Sequence, residues 1–274
     1  MNVIPRTMGT NPPPQPQFGP APNRWGVASR PTLIFVTAFA LSVTPHEVAH
    51  ALTGYCLGFN STLFQMWVNS EPAVATPTQR AIIAAAGPIF SLALGVASWL
   101  LYRRLRQAPS GLLFLMMAII GTYSFLGPLV GAAFGGDFNL VFTLLGLPTL
   151  LRSGFSVMGV LLLSSFMFLV GRELAGWAPT EFSRAQAVAC TTVAPWLIGT
   201  PLTLLAYWPL PRFLVASTLA GSIFWVFAVF GARFGPSASR HPGRNSSITR
   251  TDLIATILAL AMVRFLATGV DLAR

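Results

Sequence analysis

Residues 31–59, PTLIFVTAFALSVTPHEVAHALTGYCLGF, decide how the whole chain is read. The stretch is apolar enough and longer than the roughly 20 residues a helix needs to cross a bilayer. Yet it contains His46-Glu47-Val48-Ala49-His50. Positions i and i+4 of a helix share a face, so two imidazoles at this spacing can hold one divalent ion. Glu47 then stands beside them, where a carboxylate can take a proton from an activated water. The chain has only three histidines and four glutamates, and this pentapeptide takes two of the first and one of the second. The plain alternative is a pair of helix histidines satisfied by neighbouring carbonyls. Ionisable groups inside an apolar span are costly, which favours the functional reading.

Working outward, 54% of the 274 residues are hydrophobic and only 9% charged. So few polar side chains cannot cover a water-facing surface, and the soluble globular class is excluded. The expected fold is an all-α polytopic membrane protein with about six to seven transmembrane helices. The net charge of +10 comes from seventeen arginines and no lysine. These are scattered at the ends of apolar runs rather than clustered, so they read as topology signals and lipid-headgroup contacts, with no nucleic-acid partner. The missing lysine reflects genome composition. With the compact layout it points to a multi-pass protein of a bacterial cytoplasmic membrane. Cys56 and Cys190 are too few and too far apart for a disulfide framework or a structural zinc site.

Residues 1–30, with Asn11-Pro12-Pro13-Pro14-Gln15-Pro16-Gln17, read as a disordered Pro-rich tail. A cleaved signal ending near Ala38-Phe39-Ala40 competes, but the apolar run continues past it to the histidines. Apolar stretches follow at about 31–58, 80–102, 111–134, 138–171 (a short segment plus a full span), 186–208, 212–232 and 252–269. This divides the chain into a membrane-embedded core, 31–150, and additional transmembrane helices, 151–274. Arg103, Arg104 and Arg106 mark a cytoplasmic loop by the positive-inside rule. Residues 59–79 then fall on the opposite side. There, loose alternation around Asn60-Ser61 and Asn69-Ser70 suggests a short interfacial β-hairpin at about 60–70, with an amphipathic connector as the alternative.

Thr44-Pro45-His46-Glu47 has the pattern of a capping box, with Pro at the first helical position. It predicts that the helix restarts or kinks at Thr44 within the membrane, beside a wet cavity. Three protein ligands plus water is the usual catalytic zinc count. His241 lies in a polar loop, Glu71 in the hairpin region, and Glu181 and Asp252 in polar connectors. Asp271 is at the C-terminal edge, and Glu173 adjoins Arg172 as an expected ion pair. Asp137, in Gly135-Gly136-Asp137-Phe138-Asn139, has no neighbouring cation and is the expected third ligand. Its alternative use is to cap a helix starting at Phe138. Asn139 is a candidate for hydrogen bonding to an oxyanion or to substrate backbone.

The run His46-Glu47-Val48-Ala49-His50-Ala51 with Leu57-Gly58 resembles the first motif of the site-two-protease family of intramembrane zinc metalloproteases. Ala84-Ala85-Ala86-Gly87-Pro88-Ile89-Phe90-Ser91 is similar to its second element, with Ser91 where the family usually has Asn. Asp137 follows in the order of the family's aspartate ligand, flanked by Gly136 and Phe138 rather than by Leu and Gly. The resemblance covers about residues 42–140. It implies a three-helix core and one zinc per chain held by His46, His50 and Asp137. It also implies Glu47 as general base, Gly87, Pro88 and Ser91 on the substrate side, and a transmembrane protein substrate within the lipid bilayer. Oligomeric state is left open. The competing readings are a non-catalytic membrane scaffold or regulator of the same fold, a zinc hydrolase acting on lipid amides, and an ion-coupled transporter.

Overall fold

The computed structural model describes residues 24–70, 75–234 and 247–273. Helix α1 spans Arg24–Cys56 and leads into strands β1 (Ser61–Leu63) and β2 (Val68–Ser70). Helices α2 (Pro77–Arg104) and α3 (Gly111–Val130) follow, the latter ending in a 3-10 turn at Gly131–Ala133. After them come the short α4 (Asp137–Leu144) and the long α5 (Thr149–Ala175). Helices α6 (Arg184–Val188) and α7 (Thr200–Ala206) are joined through π-helical turns at Ala189–Val193 and Pro195–Gly199. Helices α8 (Arg212–Ser222), α9 (Trp225–Phe234) and α10 (Arg250–Leu266) precede a last strand, β3 (Val270–Leu272).

The architecture is that of a polytopic helical membrane protein. Among the described residues, six helical stretches are long and apolar enough to cross a bilayer, with Arg184–Ala206 and Arg212–Phe234 each counting as one. Helix α1 is apolar on all sides, as a helix surrounded by others must be. In its most apolar window 72% is buried, against 11% for Arg212–Phe234, so α1 is the centre and α8–α9 the periphery. Helices α2 and α3 cross where Gly95 faces Gly121; a Cβ on Gly95 would lie 2.8 Å from the Thr122 backbone nitrogen. Gly171 and Gly231 do the same for α5 and α9, against the carbonyls of Ala228 and Phe168. Small residues at crossings are how helices associate where no water drives them together.

Several expectations need correction. Residues 24–30, expected in a disordered tail, are the first turns of α1, with Val27 and Ala28 packed on Phe182 and Cys190. Residues 1–23, Glu71 and His241 lie outside the described residues. Helix α1 does not restart at Thr44: it runs unbroken through Pro31 and Pro45. The Thr44 hydroxyl is 3.3 Å from the hydroxyl of Tyr207 instead of capping a new helix. Glu173 does not pair with Arg172, because adjacent helical residues point about 100° apart. It accepts from Arg106 at 2.9 Å and from Tyr102 at 2.8 Å. Asp252 is not in an open connector but buried at the start of α10, 2.8 Å from Arg30 Nε.

The expected hairpin is present, with Leu63 opposite Val68. The C-terminal β3 extends it, pairing antiparallel with the other edge of β1 so that the order is β2-β1-β3. Leu63 packs with Ala51 and Leu266, and Val48 lies against the same cluster. The sheet therefore lies directly on the helix that carries the two histidines.

Candidate metal centre

His46 and His50 project from the same face of α1 toward α2, both more than nine-tenths buried. Their Nε2 atoms are 3.1 Å apart. Asp137 comes from α4, whose first turn is set by Gly136 at φ 88°, a backbone conformation that favours glycine. The Asp137 carboxylate is 3.3 Å from His46 Nε2 and 3.7 Å from His50 Nε2. The N-cap position of α4 is held by Gly136, and Asp137 stands one residue inside the helix. Three ligand atoms about a tetrahedral ion with bonds of 2.0–2.1 Å would be spaced by about 3.3 Å. The observed spacings fit such an ion.

Tautomer chemistry points the same way. The Nδ1 of His50 is 2.7 Å from the carbonyl oxygen of Ile83, which can only accept. Nδ1 therefore carries the proton, and in the neutral ring the Nε2 lone pair faces the centre. Ser91 Oγ lies 2.9 Å from His46 Nδ1 and holds that ring in turn. Partners on the outer nitrogen of a ligating histidine fix its orientation and raise its basicity. Gly87 completes the cradle. A Cβ there would lie 2.6 Å from His46 Nε2 and closer still to His50 Nε2, so it would fill the space in front of both.

Of the residues expected on the substrate side, Gly87 and Ser91 therefore support the histidines, and Pro88 is buried with them in α2. The Asn139 amide nitrogen donates to the Ala132 carbonyl at 2.9 Å, which ties α4 to the turn that ends α3. Glu47 is half-buried, and its carboxylate is within electrostatic range of His46, His50 and Asp137. Cys56 is exposed and does not join the group.

No family model matches this chain. Comparison with curated proteins and with solved structures likewise gave no match. The site therefore has to be read from its own chemistry.

Sequence reasoning missed Ile83 and Tyr207. Ile83 contributes only a carbonyl, which carries no signature in the sequence. Tyr207 comes from beyond α7 and is buried, with its ring edge-on to Phe39 at 5.7 Å. Gln65, in the hairpin turn, donates to the Tyr207 carbonyl at 3.0 Å, so one residue links hairpin, α7 and α1.

Proposed function

We propose that the chain is an intramembrane zinc metalloprotease that hydrolyses peptide bonds of membrane-protein substrates, as its resemblance to the site-two-protease family implies. The observation that carries this reading is the convergence of His46, His50 and Asp137 beside Glu47, inside a helical bundle apolar enough for a bilayer. Three ligand side chains with a neighbouring unligated carboxylate is the donor set of a hydrolytic zinc site, rather than of a closed structural one. Bound zinc would supply Lewis acidity toward the scissile carbonyl and lower the pKa of water.

The protein's own residues do the rest. Glu47 takes the proton of the attacking water and returns it to the leaving amine, as a general base that becomes a general acid. Ser91 and Ile83 hold the imidazoles in register. The sheet on α1 offers backbone hydrogen-bond groups on its outer edges, to which an unwound substrate segment adds as a strand.

The test is the metal content of the detergent-purified protein. About one zinc per chain is expected in the wild type, with His46→Ala, His50→Ala and Asp137→Ala all depleted. A wild type that takes up no zinc when loaded would sink the protease reading and leave the scaffold or regulator in its place. Purified protein in proteoliposomes with tagged transmembrane peptides, beside Glu47→Gln, then reads hydrolysis directly.

A further inference from the structure

The contacts that hold the bundle together also fix which helix ends share a side of the membrane. Arg30, near the start of α1, donates to the Pro109 carbonyl at 2.8 Å in the α2–α3 connection, and pairs with Asp252 at the start of α10. Arg106 reaches Glu173 near the end of α5. Val27 and Ala28 pack on Phe182 and Cys190, which brings the start of α6 to the same end. Arg184 donates to the Ala232 carbonyl, adding the end of α9.

Arginines gather at that end. Arg24 and Arg30 open α1, and Arg103, Arg104 and Arg106 close α2. Arg172, Arg184, Arg233 and Arg250 make nine there among the described residues. The other end has four: Arg80, Arg152, Arg212 and Arg264. By the positive-inside rule the nine-arginine end faces the cytoplasm.

The candidate metal centre is far from it. Counting residues along α1 at a rise of about 1.5 Å each, His46 is about 24 Å and His50 about 30 Å from Arg30. A hydrocarbon core is about 30 Å thick. The centre therefore lies near the opposite boundary of the bilayer, with the three-stranded sheet on the same side.

We infer that the centre works at the membrane boundary facing away from the cytoplasm. Resting on the protease reading, its substrates are membrane-spanning segments cut near their extracytoplasmic end. Water reaches the site from that side, and the shorter product leaves there.

The chain carries its own probe of sidedness. Cys56, on α1 beyond His50, is exposed, whereas Cys190 is buried. Right-side-out and inside-out membrane vesicles are treated with a membrane-impermeant maleimide. Wild type is compared with Cys56→Ser and with Cys56→Ser carrying Gln107→Cys, an exposed position in the α2–α3 connection. Cys56 is expected to label in right-side-out vesicles, and Gln107→Cys only in inside-out ones. The reverse pattern, or labelling of Gln107→Cys from both sides, overturns the inference. If Cys56 is shielded in both preparations, Gln107→Cys alone decides. A chain that binds no zinc gives the same labels, so this result is independent of the protease reading.

Discussion

His50 and Ile83 are joined by a hydrogen bond of 2.7 Å from the imidazole Nδ1 to the helix carbonyl, across the α1–α2 crossing. That bond turns a pair of apolar helices into a chelating surface, because it commits the Nε2 lone pair to the space between His46, His50 and Asp137. A carbonyl oxygen carries two lone pairs, so that of Ile83 can accept from the imidazole as well as from its own helix. The site thus depends on how closely α2 approaches α1.

Gly87→Ala tests that approach. The added methyl would lie 2.6 Å from His46 Nε2 and nearer to His50 Nε2, in the space where an ion would bind. Metal content after loading should fall at least about tenfold, the order seen when ligand geometry is disturbed, while circular dichroism keeps its helical signal. Ile89→Ala, at a position 59% exposed, is the control and should bind as the wild type does.

Ser91→Ala removes the partner of His46 Nδ1 and leaves all three ligands in place. Loss of such an outer partner weakens metal binding by about 10- to 100-fold. Competition with a chelator of known affinity measures it, and an unchanged affinity would falsify the supporting role of Ser91.

Glu47→Gln separates binding from chemistry. The variant should retain about one zinc per chain, while hydrolysis of tagged transmembrane peptides drops by about 10²- to 10⁴-fold, the usual contribution of a general base. Full activity in this variant would remove Glu47 from the mechanism.

Arg30 and Asp252 are both more than nine-tenths buried and 2.8 Å apart. Removing one partner leaves an uncompensated charge, which costs about 3–5 kcal/mol. Arg30→Met or Asp252→Leu alone should lower the thermal midpoint in detergent markedly. The double variant should recover most of the loss, since replacing a buried pair by apolar groups is often neutral.

The membrane class and the paired histidines were legible in the sequence because both are local properties. Hydropathy is read residue by residue along the chain, and a helix converts an i, i+4 spacing into a shared face whatever surrounds it. The hairpin at 61–70 was legible for the same reason, through its alternation, although the Asn-Ser pairs lie at the strand ends and the chain turns at Gln65-Met66 instead. The pairing of Glu173 was not. Neighbours in sequence suggested Arg172, but helix geometry turned the carboxylate toward Arg106 on another element. Strand β3 was equally silent, since its pairing with β1 depends on α10 returning alongside α1.

Sequence alone determined that this is a multi-pass helical membrane protein with a potential chelating pair on one helix face. It also supplied Asp137 as a candidate by composition, as an acid with no nearby cation. Tertiary structure decided that Asp137 reaches both imidazoles, that Ser91 and Ile83 orient them, and that Gly87 leaves room between them. It also decided that the centre sits at the end of the bundle opposite most of the arginines. The physical reason is that each of these relations joins segments far apart in the chain. Distances between such segments are set by how closely helices pack around α1, and no local pattern of residues encodes that.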